Sequence, residues 1–174
     1  NSNIEGLVCI GGDGSFRGCR ALWEEHQIPI VGIPGTIDND LWGTDRTVGF
    51  DTAINTALDA IDRIRDTAAS HDRIFIVEVM GKNSGFIAAY VGLAGGAEEV
   101  FTSDGLATVD KAVDKLKESA RKGKLSSIII AAEGQKPGRA YDLAESIRKK
   151  LGIEPKVSIL GHLQRGGKPS AFDR

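Results

Sequence analysis

Short apolar runs alternate along this chain with longer stretches whose apolar residues recur at helical spacing. The runs predict strands at 6–10, 28–33, 73–80, 99–102, 126–132 and 156–160. Between them the periodicity predicts helices at about 15–25, 50–68, 84–93, 105–122 and 140–151. Two stripes carry the helical signal best. Ile54, Ala57, Leu58, Ile61 and Ile64 mark one, and Leu106, Val109, Val113, Leu116 and Ala120, spaced 3, 4, 3, 4, mark the other. Gly152 is placed to cap the helix over 140–151. Strand alternating with helix throughout predicts α/β architecture: parallel sheets with helices on both faces, Rossmann-like. The long helix after residue 49 can carry the chain from one sheet to a second, although periodicity alone also allows one continuous sheet.

Composition narrows the picture only by exclusion. A chain of 174 residues, 41% hydrophobic, can bury one ordinary core. Its 22 basic and 24 acidic residues give a net charge of −2, so no global basic field invites nucleic acid. No apolar run approaches the ~20 residues that span a bilayer, and no signal peptide is visible. Cys9 in a strand and Cys19 in the following helix lack metal or disulfide spacing, so Cys9 is expected to be a buried free thiol. A reducing cytoplasm fits.

The chemistry gathers at strand ends. Leu7–Val8–Cys9–Ile10 runs into Gly11–Gly12–Asp13–Gly14–Ser15 before a helix. Consecutive glycines let the backbone approach a phosphate, and the helix N-terminus supplies free N–H groups. Asp13 can reach Mg²⁺, an ion satisfied by one or two carboxylates plus phosphate and water. The next strand, ending at Ile33, breaks into Pro34–Gly35–Thr36–Ile37–Asp38–Asn39–Asp40. Asp38 and Asp40 stand two apart and repel unless a cation or substrate proton intervenes. Further along, Met80–Gly81–Lys82, Glu133, and His162 with Arg165 each follow an apolar strand, so a parallel sheet would gather them at one edge. Arg165, flanked by Gln164 and Gly166–Gly167, offers a bidentate fork for phosphate.

Taken in order, GGDGS at 11–15, PGTIDND at 34–40, GFDTA at 49–53, VEVMGKNSG at 77–85 and GHLQRGG at 161–167 resemble the phosphofructokinases, most closely the bacterial ATP-dependent type. The resemblance covers essentially the whole chain. It implies two domains: 1–48 as the later part of a nucleotide-binding domain, 49–163 as a sugar-phosphate domain, and 164–174 as a return segment. It implies phosphoryl transfer from Mg-ATP to the 1-hydroxyl of fructose 6-phosphate, with Asp38 as the base and Thr36 and Lys82 beside it. Gly11, Gly12, Asp13, Gly14 and Ser15 would line the nucleotide phosphates, and Asp13 and Asp40 would sit with Mg²⁺. Substrate contacts would come from Thr36, Asp38, Asp40, Met80, Gly81, Lys82, Glu133, Lys156, His162 and Arg165, and from Arg73 reaching a neighbouring subunit's sugar phosphate. A cytoplasmic homo-oligomer, a tetramer, is therefore expected.

The resemblance also assigns Arg65, Glu98, Lys122 and Lys124 to an ADP-type effector site between subunits. Each has an ordinary explanation: Lys122 and Lys124 as a basic helix end, Arg65 as an ion pair with Asp62 or Asp66. Lys82 and Lys156 stand where the family usually has Arg, which keeps a charge and loses the planar fork. Thr102–Ser103–Asp104 replaces the Pro-Glu that often ends that strand. Family members are considerably longer, so the chain reads as an internal fragment, expected to be inactive alone. Gly14 and Gly35 lack the Asp and Lys of pyrophosphate-using relatives, which points to ATP as donor. Two alternatives remain open: a non-catalytic nucleotide-binding fragment, and an NAD or lipid kinase sharing the GGDG loop.

Overall fold

The computed structural model describes residues 4–68, 73–124, 126–135 and 137–174. Two parallel sheets organise them. The first pairs β1 (Leu7–Gly11) with β2 (Ile30–Pro34) across the connecting helix α1 (Asp13–His26). Helix α2 (Phe50–Ala68) then leads to the second sheet, built from β3 (Ile74–Val79), β4 (Glu99–Phe101), β5 (Ser127–Ala132) and β6 (Lys156–Ile159) in the order β4-β5-β3-β6. Helices α3 (Phe86–Ala94), α4 (Val109–Arg121) and α5 (Arg139–Leu151) make the crossovers.

The second sheet is a sandwich of three layers because its strands alternate between two apolar faces. Phe75, Val77, Val79, Ile128, Ile130 and Ala132 pack under Phe50, Ala53, Ala57 and Ile61 of α2 and Ile87, Ala88 and Val91 of α3. Ile74, Ile76, Ile129 and Ala131 face the other way, onto Val113 and Leu116 of α4 and Leu143 and Ile147 of α5. Every residue of β3 and β5 is buried, and each large aliphatic side chain so buried stabilises the fold by about 1.5–3 kcal/mol. The first sheet carries α1 on one face, with no buried residue on that helix.

Three helix starts differ from the periodicity. Helix α3 opens two residues late, at Phe86, because Gly85 before it takes a left-handed conformation (φ +68°). Helix α1 opens two residues early, at Asp13, with Gly12 as its N-cap. Helix α4 opens at Val109 instead of 105. Gly105 turns the chain with φ +75°, and the Thr108 side chain caps the helix by accepting the Lys111 N–H at 3.3 Å. Both cysteines are half-buried free thiols, so Cys9 is less enclosed than expected. It lies beside Cys19 and, by hydrogen bonding, raises that thiol's pKa.

The chain's last residues return to the start of α2. Asp173 Oδ1 accepts the Gly49 N–H at 2.9 Å, while Oδ2 accepts the Thr52 N–H at 2.8 Å and the Thr52 hydroxyl. Ser170 N–H donates to Thr52 Oγ1 at 3.0 Å, and Arg46 lies over the Phe172 ring. Burial alone would raise the Asp173 carboxyl, but these hydrogen bonds overcome it and hold the pKa below its ordinary value.

Candidate active site

A cleft of about 630 Å³ opens between the carboxyl ends of the two sheets. The first sheet contributes Gly12, Asp13, Gly14, Ser15, Thr36, Asp38 and Asp40; the second contributes Met80, Lys82 and, from the 3-10 helix Gly161–Arg165, Arg165. The two glycine-bearing loops touch because the strands beneath them are paired. Gly35 N–H donates to Gly11 O at 3.0 Å, and a Cβ on Gly12 would stand 3.4 Å from that of Thr36. Gly11 lies under the loop, where a side chain would strike Ser15.

Asp38 is the centre of the cleft. Only 6% exposed, its Oδ2 lies 3.3 Å from Lys82 Nζ, so a carboxylate from the first sheet is paired with an ammonium from the second. The pair is anchored on both sides. Thr36 Oγ1 accepts the Asp38 N–H at 3.3 Å, and the Ser84 hydroxyl lies 2.7 Å from Asp38 O. Asn39 takes a left-handed conformation (φ +51°) and accepts the Thr47 N–H at 2.8 Å, which fixes the loop behind Asp38. Lys82 also has positive φ (+45°), a conformation costing a non-glycine residue on the order of 1–3 kcal/mol. Its N–H donates to Glu133 Oε1 at 3.3 Å. Burial raises the Glu133 carboxyl above its ordinary pKa against the pull of that N–H, with the charges of Asp38 and Glu78 reinforcing the rise.

The remaining expected residues divide by edge. Glu133 reaches the cleft through Lys82, and His162 is exposed on the 3-10 helix. Arg73 precedes β3 and Lys156 opens β6, so both stand at the amino ends of parallel strands, opposite the cleft. Arg65, Glu98 and Lys124 are elsewhere again. Arg65 donates to Gly95 O, not to Asp62 or Asp66, and Glu98 is paired with Lys124 while accepting the Ile128 N–H at 2.6 Å. Lys122 pairs with Glu118 on its own helix at 2.6 Å.

Sequence reasoning missed three contacts. Arg17 pairs with Asp13 one turn along α1, at 3.0 Å, on the exposed face of the helix. Gln164, 1% exposed, accepts the Met80 N–H at 2.9 Å, and its amide nitrogen finds no acceptor among the described residues. Glu78 is buried within β3. Glu78 and Gln164 sit inside motifs, where neighbouring apolar or glycine residues masked them. The described residues hold no group of three or more His, Cys, Asp or Glu able to ligate a metal by themselves. Asp13 and Asp40 on the cleft wall suit instead an ion that draws most of its ligands from phosphate and water.

The comparisons with known proteins agree on one family. The phosphofructokinase family profile matches residues 1–174. ATP-dependent 6-phosphofructokinase 1 of Thermus thermophilus is 59% identical over 173 residues, covering 99% of this chain and 54% of that protein. The ATP-dependent enzyme of Bacillus subtilis is 53% identical over 171 residues, 98% of this chain and 53% of its own length. The chain thus spans about half the length of the curated relatives it matches. Among solved structures, the phosphofructokinase of Saccharomyces cerevisiae superposes with a TM-score of 0.82 at 32% identity, over 97% of this chain and 26% of that one. A pyrophosphate-dependent phosphofructokinase from Marinobacter aquaeolei gives 0.78 at 28%, over 98% and 48%. This chain belongs to the phosphofructokinase family.

Proposed function

We propose that this chain is part of an enzyme that transfers the terminal phosphoryl group of Mg-ATP to the 1-hydroxyl of fructose 6-phosphate. The observation that carries the reading is the buried Asp38 carboxylate, 3.3 Å from the Lys82 ammonium, in a cleft walled on one side by the start of α1. Asp38 takes the hydroxyl proton. Lys82, Thr36 and Arg165 stand where charge develops on the transferred group. Gly12, Gly14, Ser15 and the first N–H groups of α1 receive the donor phosphates, with Gly11 giving Ser15 its room. Asp13 and Asp40 would hold Mg²⁺, which would neutralise the donor phosphates when bound with nucleotide. Met80, Gly81, Glu133, His162 and Arg165 hold the sugar phosphate. Arg73 and Lys156, at the far edge, serve a neighbouring subunit in a cytoplasmic tetramer, and Arg65, Glu98, Lys122 and Lys124 receive a nucleotide effector. The two sheets are parts of two domains, divided near residue 48.

The donor reading rests on Gly14. Neither Gly14 nor Gly35 has positive φ, so turn geometry requires neither. Gly35 is explained by packing, since a Cβ there would stand 2.9 Å from Ile10 Cγ2. A Cβ on Gly14 would meet nothing within 4 Å, so the space beside Asp13 is open for reasons other than packing. An α-phosphate and nucleoside would use it. The test is product formation by the purified full-length enzyme with fructose 6-phosphate and either Mg-ATP or pyrophosphate, with the new phosphate located by ³¹P NMR. The reading expects phosphate on C1 and a higher kcat/KM with Mg-ATP. Phosphate elsewhere, or a higher value with pyrophosphate, would overturn it.

A further inference from the structure

Glu78 is a carboxylate in the middle of the most buried strand, 1% exposed, on the face of β3 that packs against α5. Its two oxygens accept the Gly138 N–H and the Ala140 N–H, each at 2.8 Å. Those donors are the N–H of the N-cap residue and that of the second residue of α5. The helix has no side-chain cap of its own, because its N-cap is Gly138 in a left-handed conformation (φ +107°). A carboxylate from the sheet therefore does what a capping side chain usually does, and it sits at the positive end of the helix. The segment that ends at this cap begins at Glu133, whose N–H is bound to Val79 O at 2.9 Å. Glu133 and Gly138 are thus tied to neighbouring positions of β3, Val79 and Glu78. Glu133 in turn accepts the N–H of Lys82, the partner of Asp38.

We propose that Glu78 is a positioning residue for the sugar side of the cleft: by holding Gly138 and the first turn of α5 beside β3 it keeps Glu133 where it meets both Lys82 and the substrate. A neutral apolar side chain would serve the core as well or better, since a buried charge carries a desolvation cost that packing alone does not repay. What the carboxylate adds is two directed hydrogen bonds, one to Gly138 at the end of the loop and one to Ala140 in the first turn of α5. The loop needs them: Gly134 and Gly138 both have positive φ, and neither end of the segment lies within regular structure.

This inference rests on the proposed role of Glu133 in holding the sugar phosphate. Its test is a double-mutant cycle of Glu78→Gln and Glu133→Gln in the full-length enzyme, read as separate KM values for fructose 6-phosphate and Mg-ATP well below the melting temperature. Gln keeps the shape and one acceptor, but its NH₂ cannot accept the second N–H. The expected result is a rise of about 3–30-fold in KM for the sugar phosphate, with KM for Mg-ATP within about twofold, and no further rise when Glu78→Gln is added to Glu133→Gln. If Glu78→Gln does not fold, Glu78→Asp, which keeps the charge but retracts it by one methylene, should give the same split. An equal change in both KM values, no change in either, or additive effects in the double variant would overturn the inference. Absence of fructose 6-phosphate phosphorylation by the unsubstituted enzyme would count against the proposed function instead.

Discussion

The two sheets follow different rules. In the four-stranded sheet β3 and β5 are buried at every position, with helices on both faces. In the two-stranded sheet Val8, Ile10 and Val31 are 64–69% exposed, and α1 buries nothing completely. A parallel sheet is stable when both faces are covered, so the first region contributes little stability of its own among the described residues. Yet it holds Gly12–Ser15 and Thr36–Asp40, half of the candidate site. Stability lies in one region, while the chemistry straddles both and is joined by the Asp38–Lys82 ion pair and the hydrogen bond from the Ser84 hydroxyl to Asp38 O.

Side-chain truncations should show this contrast most strongly. In the purified 174-residue chain, Ile130→Ala should cost about 2–5 kcal/mol in urea unfolding, as a fully buried side chain does. Val31→Ala should stay within about 0.5 kcal/mol. Equal costs would erase the distinction. Next in size is Gly14→Asp in the full-length enzyme. An Asp in the first turn of α1 favours the helix, so the unfolding free energy should hold or rise slightly. The kcat/KM for Mg-ATP should fall by the equivalent of about 1–3 kcal/mol. A loss of stability matching the loss of activity would mean that the first region is structural after all.

The smallest effect concerns the strap between the regions. Replacing Asp173 by Ala should cost about 1 kcal/mol, the usual worth of a helix cap. Because the folded carboxyl is held below its ordinary pKa, the unfolded chain protonates first as pH falls. The contribution is therefore whole above about pH 4 and is lost as pH drops through the lower folded value. The Tm difference between the unsubstituted chain and Asp173→Ala should shrink below pH 4; a difference that widens would show that the charge of Asp173 does not hold the tail.

The strands and helices were legible because apolar periodicity reports burial, and the fold is made of burial. Strand ends were legible too, since glycine and proline mark where a strand stops. What the pattern could not show is which polar residue within an apolar run turns inward. Glu78 reads as one polar letter in Ile74–Val79, and Gln164 as a neighbour of Arg165, yet both are buried and bonded to specific backbone groups. Nor could it show pairings set by three dimensions. Arg65 has acidic neighbours at helical spacing and instead reaches Gly95, thirty residues away. The start of α4 was misjudged because apolar Leu106 continued the stripe, while Gly105 and the Thr108 cap decided the geometry.

In the proposed reaction Asp38, held between the two regions beside Lys82, takes the proton from the substrate hydroxyl. Asp38→Asn keeps the shape and most of the hydrogen bonding but cannot accept that proton at neutral pH. Steady-state kinetics of this variant in the full-length enzyme should give a kcat lower by about 10²–10⁴-fold, with KM for fructose 6-phosphate moving by about twofold or less. An Asn variant that keeps most of its turnover would contradict the account.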